Sequence, residues 1–162
     1  MTRIETAIAI QAPIAAVFDA ERDISFHTST QSHRGEQAVA GVITGKLKLD
    51  DEVEWEAIHF GIRQRLRVRI SEMHRPSYFK DEMIKGIFHS FTHEHHFSEI
   101  DASSTLKKDI IEFSAPLGLL GAIAERLFLR NYMTKFIQRK NSDFKALLEN
   151  KNAVEQGAAA NP

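Results

Sequence analysis

The sequence predicts one α+β domain in which a curved antiparallel sheet wraps around a long C-terminal helix. Three observations predict it: an alternating strand at the start of the chain, a series of turn signals in the middle, and a long helical segment near the end. With 162 residues the chain is long enough for one substantial core and too short for two ordinary domains. We therefore expect one domain over residues 1–150 and a flexible tail over residues 151–162.

One strand and one or two short helices are predicted before the turn-rich region. Residues 3–10 alternate between apolar and mostly polar side chains, which is the period of a strand with one buried face. Pro13 suits the first turn of a helix, and we expect that helix to run to about Arg22. The stretch 23–33 has no clear period and predicts either a second short helix or a structured loop.

Six or so antiparallel strands are predicted next, because turn signals recur about every ten residues. The clearest strand is 62–70, in which apolar residues and four arginines alternate. Its hairpin partner, 53–59, places two glutamates beside those arginines, whereas Trp55 and His59 face the core. Further strands are expected over residues 78–84, 88–97 and 105–113.

A long helix is predicted over residues 119–150, because apolar residues recur there at steps of three and four. At 1.5 Å per residue it would be on the order of 45 Å long, enough to cross the sheet. The segment from Leu117 to Leu129 is apolar on nearly all sides. We expect its excess apolar surface to face a pocket, a partner protein or, transiently, a membrane.

Composition and charge argue against several functions. The net charge is −1, from 21 basic and 22 acidic residues, and glutamates face the arginine row, so we expect no binding to nucleic acid. The chain has no cysteine, which removes disulfides, thiolate metal sites and cysteine nucleophiles. The N-terminus lacks a secretory h-region, and no run reaches the roughly 20 apolar residues that span a bilayer. These features predict a cytoplasmic protein.

The order of elements and four short segments resemble the START-like (SRPBCC) superfamily over roughly residues 2–150. The segments are 21–27, 81–83, 91–95 and 115–118. The superfamily groups sterol- and lipid-transfer domains, birch-pollen-allergen-type proteins, polyketide cyclases and coenzyme-Q-binding proteins, and the chain is similar to its small bacterial members. The resemblance implies a helix-grip fold of about seven strands. It also implies a hydrophobic or amphipathic ligand between sheet and helix, entered near the short helices and the start of the long one.

Several residues are candidates for lining such a cavity. His93 and His95 occupy alternate positions of one predicted strand and project from the same face. An apolar pocket commonly uses a few such polar groups to orient its ligand, here one with an oxygen-bearing head such as a quinone, carboxylate or hydroxyl. The alternative is that the histidines only form hydrogen bonds within the sheet and the aromatics only pack the core. The predicted ligand-binding residues are His27, Trp55, His59, Asp81, Phe91, His93, His95, Ile123 and Leu127.

A metal site is a more specific alternative role for these histidines. His93 and His95 supply two imidazoles, and His59 or Asp81 is the candidate third ligand for zinc or non-haem iron. Such a site also needs carboxylate or carbonyl acceptors that fix the tautomers of its histidines. Because a third ligand and these acceptors must be present together, we predict no stoichiometric metal and no cofactor.

Three functions stay open from the sequence. The first is a carrier of a lipid-, quinone- or polyketide-like molecule. The second is a cyclase- or hydrolase-like enzyme, in which a histidine beside Asp81 or Glu36 acts as general base. The third is a protein-interaction domain that uses the apolar start of the long helix. An internal cavity separates the first two from the third, and the sequence does not choose between carrier and enzyme.

Overall fold

The computed structural model describes residues 1–31, 35–116 and 128–159. Within them the chain forms seven strands and three helices, in the order strand, two short helices, six strands and one long helix. The strands are β1 (Thr2–Ile10), β2 (Gln37–Gly41), β3 (Glu52–His59), β4 (Ile62–His74), β5 (Tyr78–Lys85), β6 (Ser90–Asp101) and β7 (Ser104–Ser114). The helices are α1 (Ile14–Glu21), α2 (Ile24–Gln31) and α3 (Arg130–Ala159). The α+β helix-grip prediction is confirmed.

The strands form a single antiparallel sheet in the order β1-β7-β6-β5-β4-β3-β2. Strands β2 to β7 follow one another as a meander, and β1 pairs with β7. Irregularities in register interrupt the pairs β2–β3, β4–β5 and β6–β7. Such bulges bend a strand and increase its twist, which curves the sheet around α3.

In the β3–β4 hairpin, the apolar and charged side chains lie on the faces that the sequence predicted. Trp55 pairs with Leu66, and Val53 pairs with Val68, on the inner face of the sheet. On the outer face, Arg65 donates to Glu56 at 2.9 Å. A shift of one residue would have exchanged the two faces, so the alternation of apolar and charged residues specifies this register.

Helix α3 continues to Ala159, beyond the end predicted near Asn150. Alanine, glutamate and glutamine are good helix formers, and the single Gly157 costs only about 1 kcal/mol, so the C-terminal composition does not stop the helix. The predicted tail over residues 151–162 is therefore helical as far as Ala159, and its flexibility stays a prediction. Among the described residues, no helix is both long and apolar enough to cross a membrane.

Two groups of buried apolar residues hold the helices against the sheet. The first includes Phe18 of α1, whose ring meets Phe79 and Phe97 edge-on at 5.7 and 5.6 Å between centroids. The second joins Phe113 of β7 to Ile137 of α3. These contacts fix α3 across the inner face of the sheet.

Candidate ligand-binding site

A cavity of about 410 Å³ lies between the inner face of the sheet and α3. This volume is on the scale of small-molecule sites, roughly 300–1,000 Å³. The apolar lining residues are Leu47, Val53, Trp55, Ala57, Phe60, Leu66, Val68, Ile70, Phe79, Ile87, Phe88, Phe91, Ala115, Pro116, Phe128, Leu129, Met133, Phe136 and Ile137. Apolar side chains therefore form most of the wall.

Seven of the nine predicted ligand-binding residues line this cavity. They are His27, Trp55, His59, Asp81, Phe91, His93 and His95. The other two, Ile123 and Leu127, lie outside the described residues. Trp55, predicted to face the core, shares this lining with Leu66, Val68 and Phe91.

The outer end of the cavity is aromatic and exposed. Phe60 at the tip of the β3–β4 hairpin and Phe128 just before α3 are 59% and 50% exposed, and their rings meet edge-on at 6.2 Å. Behind them, Tyr132 OH and His59 Nδ1 lie 2.7 Å apart. The resemblance implied an entrance near the start of the long helix, and these exposed lining residues lie there.

A first polar group lies on the side wall, where α2, α3 and the start of β2 meet. Glu36 Oε1 accepts hydrogen bonds from His27 Nε2 at 2.9 Å and from Lys140 Nζ at 3.0 Å. Burial and the charge of Lys140 lower the pKa of His27, so this imidazole is neutral at pH 7. Burial acts to raise the pKa of Glu36, but the Lys140 charge and the His27 hydrogen bond outweigh it and hold that pKa far below its usual range.

A second polar group lies at and directly behind the cavity floor, and four of its members, Glu21, Lys107, Asp109 and Asn141, were not predicted from the sequence. Lys107 and Asp109 lie on the inner face of β7 and are each 1% exposed. Lys107 Nζ donates to Asp109 Oδ2 at 2.8 Å and to Asn141 Oδ1 at 2.7 Å, and it lies 3.2 Å from Glu21 Oε1. Burial acts to raise the pKa of Glu21, but the Lys107 charge lowers it to about 2. Lysine is almost never fully buried unless it is paired in this way.

The two central histidines complete this floor group. His93 Nε2 donates to Asp109 Oδ1 at 3.0 Å, and His95 Nε2 lies 3.1 Å from Asp81 Oδ2. Burial acts to lower the pKa of His95, but the nearby carboxylates of Asp109, Asp81 and Glu21 raise it to about 10. Burial and the charge of His95 lower the pKa of His93. A charged imidazolium and a neutral imidazole therefore lie side by side, with ring centroids 3.8 Å apart.

Two buried polar atoms in this group have no hydrogen-bond partner among the described residues: Glu21 Oε2 and His95 Nδ1. Asp109 Oδ1 lies 3.1 Å from His95 Nδ1, a distance that suits an ion pair, but the orientation is not that of a hydrogen bond. Glu21 lines the cavity, and a buried carboxylate oxygen without a partner is a site where a hydrogen-bond donor would be stabilising.

The sequence contains weak indications that Glu21 and Asn141 are buried. Glu21 follows the buried Val17 of α1 by four residues, and Asn141 follows the buried Ile137 of α3 by four, so both fall on buried faces of their helices. In β7, however, an alternation rule that places polar residues outside gives no reason to turn Lys107 inward.

Comparison with known proteins supports the fold. No family model matches the sequence, and no curated protein is similar to it. Among solved structures, TTHA0849 of Thermus thermophilus superposes with a TM-score of 0.74 at 11% identity, covering 91% of this chain and 97% of that one. A START superfamily protein of Mycobacterium smegmatis has a TM-score of 0.70 at 9% identity, with the same coverages. Major latex-like protein 151 of Panax ginseng has a TM-score of 0.63 at 13% identity, covering 90% and 95%.

These likenesses establish the class of fold. The chain has a START-like fold, in agreement with the resemblance found from its sequence. At such low identities the comparison concerns the backbone alone, so the ligand must be inferred from the cavity of this chain.

Proposed function

We propose that the protein binds one hydrophobic or amphipathic small molecule in the cavity between the sheet and α3. The observation that carries this proposal is an interior space of about 410 Å³ whose wall is mainly apolar and whose polar groups gather on the floor and one side. A few convergent polar groups in an apolar pocket are the usual arrangement for orienting a ligand. The START-like fold supports the same proposal.

The polar groups favour one kind of ligand head. Glu21 Oε2 is a buried acceptor and His95 Nδ1 a buried donor, both without a hydrogen-bond partner among the described residues, so together they favour a hydroxyl, which can donate to one and accept from the other. A quinone carbonyl or a carboxylate offers Glu21 only an acceptor. The apolar body of the ligand would extend along Trp55 and Leu66 toward the aromatic outer end.

The chain contains a built-in reporter for this binding. Its only tryptophan, Trp55, lines the cavity, so any occupant changes the fluorescence of a single known site. Titration with N-phenyl-1-naphthylamine, an uncharged apolar fluorophore that accepts energy from tryptophan, should quench Trp55 saturably with one probe per chain. Native mass spectrometry of protein purified from its own host should then show a bound molecule that displaces the probe.

Two neighbouring substitutions test the location. Ala57 lines the cavity, whereas Ile58 is 57% exposed on the opposite face of β3. Overpacking costs about 1–3 kcal/mol, so Ala57→Phe should weaken probe binding by about 10-fold or more. Ile58→Phe should leave the affinity unchanged. Equal affinities for both variants would contradict binding in this cavity.

A second candidate function is acid–base catalysis in the same cavity. The observation that favours it is the pair His93 and His95, whose pKa values are shifted in opposite directions. Adjacent titratable groups separated in this way commonly divide the roles of base and acid. If the protein is an enzyme, the extracted molecule will be converted on incubation with the wild type, and His93→Asn will bind it without converting it. An unchanged molecule after prolonged incubation favours the carrier.

The exposed aromatic end supports a transient contact during loading, with a membrane or with a partner protein. Phe60, Ile87 and Phe128 are exposed and line the cavity. Of the predicted contact segment, Leu117 to Leu129, only the last two residues are described. We also propose that the protein acts in the cytoplasm.

A further inference from the structure

We propose that Asp81, His93 and His95 form a binding site for one divalent transition-metal ion of the zinc or iron(II) class, on the floor of the cavity. One ligand atom from each residue lies within 4.8 Å of those of the other two. Two imidazoles and one carboxylate are a donor set that both metals accept. This site is independent of the amphipathic ligand proposed above.

The central strands place the three side chains together. Asp81 of β5 is the direct cross-strand partner of His93 in β6, and His95 follows two residues later on the same face. All three line the cavity, so a bound ion would keep a position open to a ligand. Atoms bound to one ion at about 2.1 Å lie about 3–3.5 Å apart. His95 Nε2 and Asp81 Oδ2 are already 3.1 Å apart.

Acceptors behind the histidines set suitable tautomers. His93 donates from Nε2 to Asp109 Oδ1, which leaves the Nδ1 lone pair of His93 free. The same oxygen lies 3.1 Å from His95 Nδ1 as an ion-pair contact, so His95 keeps a carboxylate beside its Nδ1 proton when an ion displaces the proton on Nε2. Metal-binding histidines usually have such a carboxylate behind them. The structure supplies Asp81 as a third ligand and a hydrogen-bonded acceptor behind His93.

A second group of possible metal ligands differs from this set because Lys107 already neutralises it. Glu21, His95 and Asp109 also lie close enough to share an ion. Their carboxylates already meet the Lys107 ammonium, at 3.2 Å from Glu21 and 2.8 Å from Asp109. The second group therefore already contains a lysine ammonium, whereas the cation that Asp81 meets among the described residues is the imidazolium of His95.

The charges of the floor favour a divalent ion. In the metal-free floor, Glu21, Asp81 and Asp109 contribute three negative charges, and Lys107 and the His95 imidazolium contribute two positive charges, which leaves −1. A divalent cation that displaces the Nε2 proton of His95 brings this sum to zero, and uncompensated charge is costly in a buried site. On the side wall, Glu36 and Lys140 already balance each other at 3.0 Å. Because two of the three ligands are imidazoles, the site disfavours Mg²⁺ and Ca²⁺, which prefer oxygen.

The test is a calorimetric titration of chelator-treated, full-length protein with Zn²⁺ alone. We expect saturation at one ion per chain. Loss of an outer-shell group costs about 10–100-fold in metal affinity, so loss of a direct ligand through Asp81→Asn or His93→Asn should cost at least about 100-fold. The matched control is His96→Asn, a histidine of the same strand that is partly exposed and paired with Glu94 at 2.9 Å. That variant should bind zinc like the wild type.

A spectroscopic readout on the wild type keeps the test independent of how the variants fold. Zinc should shift the imidazole ¹⁵N resonances of two histidines, and Asp81→Asn, which preserves shape, should abolish those shifts while the circular dichroism is unchanged. The proposal is overturned if no saturable zinc binding occurs. It is equally overturned if His96→Asn removes the binding while Asp81→Asn retains it, which would identify an adventitious surface site.

Discussion

The sheet carries one array of charged side chains on each face, and the two differ in almost every physical respect. On the outer face, arginines of β4 pair with glutamates of β3, for example Arg67 with Glu52 at 2.8 Å, and the arginines are 41–70% exposed. On the inner face, Lys107 and Asp109 pair at the same distance and are 1% exposed. Water screens the first array, whereas the second must satisfy its own charges.

The comparison suggests different roles for the two arrays. Exposed pairs contribute little energy each and help to select the register of β3 and β4. Buried charges cost free energy to desolvate, and apolar residues of similar volume would often be as stable. The ion binding that we propose for Asp81, His93 and His95 would explain why the fold retains such charges beside a cavity. Substitutions on the two faces can test this difference.

The largest effect is expected for Lys107→Met. The change removes the ammonium that meets both Asp109 and Glu21, and leaves those buried carboxylates to share the single charge of His95. Breaking one partner of a buried pair typically costs about 3–5 kcal/mol. Urea denaturation at pH 7 should therefore show a free energy of unfolding lower by that amount. A loss below about 1 kcal/mol would show that the floor is accessible to water and that the contrast with the outer face is wrong.

A smaller effect is expected for Glu36→Gln on the side wall of the cavity. Lys140, which loses its ionic partner, is 17% exposed and can recover some hydration. We therefore expect a loss of about 2–3 kcal/mol, below the range for fully buried pairs. Thermal and urea unfolding at pH 7 should both report it, and a neutral effect would mean that Lys140 reaches solvent without cost.

The same variant has a predicted pH dependence. The ordinary pKa of Glu36 is 4.5, and the folded protein lowers it. The ionised carboxyl therefore stabilises the fold above about pH 4.5 and loses this contribution as the pH falls toward the lower, folded-state pKa. The difference in unfolding free energy between wild type and Glu36→Gln should be constant above about pH 6 and should shrink below pH 4.5. A difference that grows on acidification would have the wrong sign.

The apolar half of the cavity could be predicted from the sequence far better than the polar half. Strand alternation alone turns Trp55, Leu66 and Phe91 inward, because apolar burial dominates local patterns. Lys107 and Asp109 contradict the same rule, because their charges are compensated by each other and by residues of α1, β6 and α3. Such compensation depends on tertiary contacts between distant segments, and no local period contains it. The end of α3 at Ala159 differs from the predicted end near Asn150 for a simpler reason: a single glycine is too weak a stop signal.

The smallest effect is expected for Arg67→Met, the matched counterpart of Lys107→Met on the outer face of the same sheet. Arg67 donates to Glu52 at 3.0 Å, but it is 41% exposed, and Glu52 also has Arg69 at 3.5 Å. Exposed pairs contribute roughly 0.2–1 kcal/mol, so the free energy of unfolding should fall by less than about 1 kcal/mol. Added salt should reduce even this difference, because screening acts on exposed charges. The salt dependence of Lys107→Met should be weak, since salt does not reach its partners. If both variants lose the same stability and respond alike to salt, the two faces do not differ as described.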